Sequence, residues 1–233
     1  MKIKHHSDVD LIQTAASDGM VCKAARVSTL GAGEADTDPI KDRGLINFLM
    51  RDRHGSPFEH GSMTFRICAP IFVAREFMRH RAGMSFNEES ARYRELDTVF
   101  FVPDQGRPLV QKGKPGAYHF EPGTFAQWWG VEESLHTAYA EAEFQYKRML
   151  EDGVAREIAR SVLPVGTFTT FFVTCNPRSL MHFLSLRTKH AEATFPSFPQ
   201  LEIQEVAEKM EAHWTRLMPV TAQLFTEHGR VSP

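Results

Sequence analysis

Five arginines and one histidine fall between Arg75 and Arg94, in Arg75-Glu76-Phe77-Met78-Arg79-His80-Arg81 and the Ala82-Gly83-Met84-Ser85-Phe86-Asn87-Glu88-Glu89-Ser90-Ala91-Arg92-Tyr93-Arg94 that follows. Arginine's planar fork pairs with phosphate through two parallel hydrogen bonds, and hydroxyl and amide side chains suit further phosphate oxygens, ribose or base edges. Ser85, Asn87 and Ser90 supply those groups beside the cations, so the segment has the chemistry of an anion site. The plainer reading is a solvated charged surface. Cations in the last turn of a helix offset its dipole by ~0.3–1 kcal/mol each. That accounts for one or two of the arginines, but not for the polar residues next to them. Side chains on a helix project about 100° apart, so Arg79, His80 and Arg81 are expected to fan around a helix end and serve different ligands or different subunits.

A second group lies after Asn176. Leu180, Phe183 and Leu184 recur at helical spacing and the next place on that apolar stripe is Arg187, a residue seldom buried unless paired. A salt bridge or a snorkelling stem would explain it without any function. Arg178 and His182 are four apart, where helical side chains meet. A third group is His54 and His60, with Ser56 and Glu59 between them. Pro57 prevents a regular helix there, so the two histidines make a poor metal pair and read more simply as loop and core residues. His5 and His6 have the character of terminal residues without a role.

These groups need elements to hold them. Asp38-Pro39 is an N-cap followed by a first-turn proline, ahead of Ile40, Leu45, Phe48 and Leu49 at helical spacing as far as His54-Gly55. From Ser62 the pattern alternates, with Met63, Phe65 and Ile67 on one side, which predicts a half-buried strand. Pro70 is expected to open a second helix, with Ile71, Ala74 and Met78 as its stripe and Arg79-His80-Arg81 at its end. Residues 104–123, rich in Gly and Pro, read as irregular structure. A long helix is predicted from about Thr124 to Asp152, burying Trp128, Val131, Leu135, Tyr139, Ala142, Tyr146 and Met149 and stopping at Gly153. Phe168 to Thr174 reads as a strand. Asn176-Pro177 caps a helix to about Lys189, and a last helix covers roughly Gln200 to Leu217. Strands and helices without regular alternation give an α+β class, a mixed or antiparallel sheet flanked by helices in one domain over 1–233.

The chain has 233 residues, and its 27 Lys+Arg against 29 Asp+Glu argue against a dedicated nucleic-acid binder, which normally carries a basic excess. No apolar run reaches the length of a membrane span, and the first residues lack a signal core, so a cytoplasmic protein without membrane contact is expected. Three cysteines, Cys22, Cys68 and Cys175, form no C-x-x-C pair and suggest neither a disulfide framework nor a zinc site. Gly31-Ala32-Gly33-Glu34-Ala35-Asp36 lacks the third glycine of a dinucleotide fingerprint, and there is no phosphate-loop or nucleophile-elbow motif.

Taken together, Arg79-His80-Arg81 and the following Ser-x-Asn-Glu-x-Ser-x-Arg-Tyr closely resemble the signature of the flavin-dependent thymidylate synthases (ThyX). The resemblance extends to Arg53 through His60, Ala69 through Arg75, Ala159 through Pro164, and Thr174 through Arg187. It implies an α+β subunit of a homotetramer whose active sites form where subunits meet. It also implies methylation of dUMP to dTMP, with carbon from 5,10-methylenetetrahydrofolate and hydride from FAD reduced by NADPH. Carried over by position, Ser56, Arg79, His80, Arg81, Glu88, Asn176 and Arg178 would touch FAD, as would His182, which stands where the family often has Asn. Glu76, Arg79, Ser90, Ala91, Arg92, Arg160 and Arg187 would hold dUMP. Arg187 would favour the N3-ionised pyrimidine, and His54 would lie near the reacting centre. No metal is implied.

The classical, unrelated thymidylate synthases need a thiolate; here Cys68 and Cys175 sit in strand patterns with no activating histidine beside them. One departure stands out. Eight residues, Ala82 to Glu89, separate Arg81 from Ser90 where the family pattern has seven, and the extra residue precedes Ser85. The rival readings are a metal-dependent phosphohydrolase and a single-stranded nucleic-acid module using Phe86 and Tyr93 for stacking.

Overall fold

The computed structural model describes residues 1–31 and 38–233. The Gly31 to Asp36 string therefore lies, beyond Gly31, outside the described residues. In chain order the elements are β1 (Lys2–Lys4), β2 (Asp8–Thr14), α1 (Asp18–Leu30), α2 (Pro39–Arg51), a 3-10 turn (Ser56–Glu59), β3 (Met63–Pro70), α3 (Ile71–Phe77), β4 (Met84–Glu88), β5 (Val99–Phe101), β6 (Val110–Lys112), β7 (His119–Glu121), α4 (Phe125–Glu151), α5 (Arg156–Ala159), a second 3-10 turn (Arg160–Val162), β8 (Phe168–Cys175), α6 (Pro177–Arg187), α7 (Leu201–Leu217) and α8 (Pro219–Glu227). The class is α+β, with a four-stranded sheet in the order β2-β3-β8-β4 and two small sheets, β1 parallel to β5 and β6 antiparallel to β7. Among the described residues, no helix is long and apolar enough to cross a membrane.

The chain divides into two compact units, and strands β3, β4 and β8 each begin in one and end in the other. The first unit comprises Met1–Ser7, Cys68–Phe77 and Glu88–Phe171. Its core gathers Phe100, Val102 and Tyr139, with the Phe100 and Tyr139 rings stacked at 4.8 Å. Helix α4 starts where its capping residues place it. Thr124 accepts from the Gln127 amide while the Gln127 side chain accepts from the Thr124 amide, a reciprocal cap. Gly153, at φ 78°, follows its end, and only Tyr139, Ala142 and Tyr146 of the expected face are fully buried.

The second unit comprises Asp8–Ile67, Met78–Asn87 and Phe172–Pro233. Helix α7 buries Ile203, Val206, Ala207, Met210 and Trp214 at i, i+3, i+4, i+7 and i+11, one continuous stripe, and Trp214 meets Phe225 of α8 edge-on at 5.8 Å. Helix α2 is capped by Asp38, whose carboxylate accepts from the Ile40 and Lys41 amides, with Pro39 in the first turn.

Two expectations change. Pro70 is the last residue of β3, and the amides of Ile71 and Phe72 bond to the carbonyls of Thr167 and Val165 at 2.9 and 3.0 Å. Helix α3 is therefore short and stops at Phe77, which leaves Met78 and the three residues after it off the helix. Residues 104–123 are not wholly irregular, because β6 and β7 pair as a small antiparallel ribbon.

Gly166 is a tight position in the first unit: a Cβ there would collide with the Tyr139 hydroxyl. Gly166→Ala is expected to lower unfolding free energy by ~1–3 kcal/mol, the usual cost of overpacking. Urea denaturation checks this, and Tyr139→Phe in the same chain should recover part of the loss.

Candidate active site

Helix α6 carries the chemistry of the second unit. Asn176 caps it, its Oδ1 accepting from the Ser179 amide at 2.8 Å, and Pro177 occupies the first turn. Leu180, Met181, Phe183 and Leu184 are buried, which turns Arg178, Ser179 and His182 to another face. Arg178 is held from several directions. Its Nε donates to the Pro233 main-chain oxygen at 2.7 Å, and Nη1 donates to Glu59 Oε1 at 2.5 Å. Ser232 Oγ donates to the Arg178 carbonyl at 3.0 Å, and Arg53 Nη1 donates to the Ser232 carbonyl at 3.1 Å. A Cβ on Gly55 would strike the Arg178 guanidinium, so a side chain there would push Arg178 away from Glu59 and Pro233.

The turn after α3 closes against the same helix. Gly83 has φ +65°, and a Cβ there would collide with Ser179 Oγ and crowd Asn176 Nδ2. Between them is a cavity of about 430 Å³, lined by Glu59, Ala82, Gly83, Asn176, Arg178, Ser179, His182, Ser232 and Pro233. The residues predicted to hold a flavin include three of these, Asn176, Arg178 and His182. Glu59 was grouped with the histidines but given no binding role. Gly83, Ser179 and the 232–233 segment were not singled out; a glycine of positive φ is a signal sequence offers weakly, and a contact made across more than fifty residues offers none.

At the other end of α6, Arg187 is half-buried and its Nε donates to His80 Nε2 at 2.9 Å. The His80 ring lies edge-on to buried Phe183, with centroids 4.9 Å apart. Burial holds the imidazole's pKa down, and the positive Arg187 and neighbouring His182 push the same way, to about 4 against the ordinary 6.5. His80 is thus neutral, with Nε2 as acceptor, and its proton belongs on Nδ1. Arg187 keeps its expected place on the stripe, and the partner seen for its Nε is a histidine.

In the second unit, Arg79 and Arg81 flank His80 and are exposed; they stand in the turn and coil after α3, not around a helix end. Only Arg75 is left in the last turn of α3 to face its dipole. Exposed His54 stacks on Phe48 at 5.3 Å, and Ser56 opens the 3-10 turn that ends at Glu59.

In the first unit, Glu76 is half-buried on α3 and Glu88 Oε1 accepts from Thr169 Oγ1 at 2.7 Å. Ser90 Oγ accepts from the Arg92 amide at 3.3 Å, Ala91 is buried, Arg92 lies 3.3 Å from Glu157, and exposed Arg160 begins a 3-10 turn. Ser85 and Asn87 of the polar segment lie on strand β4, residues 84–88. Burial raises the Cys175 thiol to about 12, and burial together with Asp42 raises Cys22 equally, so neither is poised as a thiolate.

Residues 10–220 match the family model described as thymidylate synthase complementing protein, Thy1. A flavin-dependent thymidylate synthase of Streptomyces coelicolor is 57% identical, covering 100% of this chain and 96% of the relative. One from Tropheryma whipplei is 54% identical over 97% of this chain and 94% of the relative. Among solved structures, the UMP/dUMP methylase PolB from Streptomyces cacaoi, bound with 5-Br dUMP, superimposes with TM-score 0.94 at 53% identity, covering 100% of both chains. The same protein bound with 5-Br UMP gives TM-score 0.93 at 52% identity, over 100% of this chain and 99% of that one.

The neutral His80 carries a pH signature. Its native value near 4 lies below the 6.5 of an unfolded histidine, so between these the unfolded chain takes up a proton that the native chain refuses. The stabilisation is fully present above about pH 6.5 and is lost as pH falls towards 4. Urea unfolding across that window should show a steeper decline for wild type than for His80→Asn, and equal slopes would remove His80 as the cause.

Proposed function

The chain belongs to the family of flavin-dependent thymidylate synthases, and from that membership we propose that it methylates dUMP to dTMP, taking carbon from 5,10-methylenetetrahydrofolate and reducing equivalents from NADPH through bound FAD. Residues 1–233 act in this reading as one catalytic domain. The observation that supports it best is on α6: a cation fixed by a neutral histidine at one end and a polar cavity at the other.

The cavity's donors suit a flavin nucleotide. Asn176, Arg178, Ser179 and His182 supply amide, guanidinium, hydroxyl and imidazole groups, and at Gly55 and Gly83 the missing side chains keep the backbone close without filling the space. Ser56, Arg79, His80, Arg81 and Glu88 are assigned to the same cofactor. When bound, the flavin supplies the hydride that completes the methyl group. Arg187 offers its charge to the pyrimidine at N3, where it stabilises the anion that activates the ring, an electrostatic effect of a few kcal/mol in a site fixed beforehand. His80 takes no proton from Arg187 and accepts its Nε–H, which fixes the direction of the guanidinium fork. Glu76, Arg79, Ser90, Ala91, Arg92 and Arg160 complete the dUMP residues, with His54 near the reacting centre. No thiol is required, consistent with Cys22 and Cys175 being raised to about 12.

We place the enzyme in the cytoplasm, where its three unpaired thiols suit a reducing compartment, and give it no nucleic-acid or membrane partner. We also propose a homotetramer with active sites at subunit interfaces. Support comes from α4, where Phe125, Trp129 and Phe144 are 77%, 54% and 57% exposed. At about 100° per residue they fall within roughly 100° of arc, so three large apolar side chains project from one side of α4, among exposed Glu133 and Lys147, and a second copy would cover them.

Purified protein should be yellow and should form dTMP only with dUMP, methylenetetrahydrofolate and NADPH together. Failure to bind flavin with or without dUMP would overturn the reading. The likeness to a UMP/dUMP methylase favours one second reading, methylation of UMP as well, and UMP in the same assay decides it. Arg187→Ala should retain fold and flavin while kcat/KM for dUMP falls about 100-fold. Trp129→Glu with Phe144→Glu should reduce the sedimentation mass from that of four chains; an unchanged mass would release α4 from the interface.

A further inference from the structure

We infer that Arg230, outside every residue group assigned so far, is a positioning residue for Arg187, acting through Thr188. Arg230 is 3% exposed and has φ 56°, a left-handed conformation that non-glycine residues seldom adopt. Its guanidinium forks onto Glu211 of α7, Nη1 to Oε1 at 2.7 Å and Nη2 to Oε2 at 2.9 Å, and lies 4.9 Å from the centroid of the Phe225 ring. Nη2 also donates to Thr188 Oγ1 at 2.8 Å.

Thr188 is the C-cap of α6, next to Arg187 in the chain, and is 4% exposed. A hydroxyl has one proton to give, and here it goes to the Leu184 carbonyl at 2.7 Å; the Thr188 amide donates to the same carbonyl at 3.0 Å. Arg230, a donor without acceptor capacity, takes a lone pair of the hydroxyl, so the proton cannot point at Arg230 and is left to the Leu184 carbonyl. The last turn of α6 is thereby closed twice and tied to α7. From that turn Arg187 reaches His80.

A buried ion pair is weak evidence for stability as such, since well-packed apolar residues often serve equally well. What an apolar pair would not supply is the direction imposed on the Thr188 hydroxyl. The inference rests on the reading of Arg187 as the dUMP cation, but part of its test does not.

The test compares wild-type holoenzyme with Thr188→Val, Thr188→Ser and Arg230→Lys, measuring flavin content, Tm, dUMP affinity by calorimetry and the His80 ring titration by NMR. Thr188→Val should keep its flavin, bind dUMP about tenfold more weakly and lower kcat/KM in step. Its His80 midpoint should rise from about 4, because Arg187 is one of the charges holding it down. Thr188→Ser, which keeps the hydroxyl, should restore both. A fall in Tm with unchanged dUMP affinity and His80 midpoint would make the network a structural staple and overturn the proposal. If Thr188→Val does not fold, Arg230→Lys keeps the charge beside Glu211 without the fork, and the same two readouts decide. Wild type that binds no dUMP would instead overturn the reading of function, while the His80 midpoint would still judge the positioning.

Discussion

The hydrogen bond from Arg187 Nε to His80 Nε2 makes the heaviest demand on the rest of the second unit. It exists only while the imidazole is neutral, because a protonated ring has no lone pair to offer. Neutrality in turn needs a dry setting, and Phe183 beneath the ring provides one. Phe183 is in place because α6 buries a regular stripe, and the stripe is regular because Asn176 and Pro177 set the start of the helix. The chain of causes runs from two capping residues to the protonation state of a side chain on a different segment.

Those causes were unevenly visible in the sequence. The caps at Asp38, Thr124 and Asn176 are local and set the starts of their helices within a residue or so of where periodicity puts them, whereas α2 ends at Arg51, short of His54, and α6 at Arg187, short of Lys189. Pro70 looks like a first-turn proline in the sequence, and that places the end of α3 too late. The amides that follow it are satisfied by carbonyls at 165 and 167, which lets β3 run to Pro70 and leaves a helix too short to carry Arg79-His80-Arg81. Helix α8 was not foreseen, since its capping carboxylate is Asp18, which accepts from the Val220 and Thr221 amides at 3.0 and 2.9 Å from the far side of the sequence.

The site shows the same division. Residue type and spacing exposed the arginines, and a match of ordered blocks named their family. The groups that hold those arginines stayed hidden, because Glu59, Thr188, Glu211 and Pro233 are ordinary residues whose importance lies in what they meet. Local pairing also reconciles a cation-rich segment with a nearly neutral chain. Arg92 lies 3.3 Å from Glu157, Arg94 3.6 Å from Glu89, and Arg178 2.5 Å from Glu59, so positive charge is concentrated in position but not in sum.

Residues 230–233 lie along α6 and grip it at both ends, Arg230 at Thr188 and Ser232 with Pro233 at Arg178. A helix pinned at two points ten residues apart can neither slide along its axis nor roll without breaking one of them. The cavity faced by the turn carrying Ala82 and Gly83 is thus built on a helix whose position these last residues set.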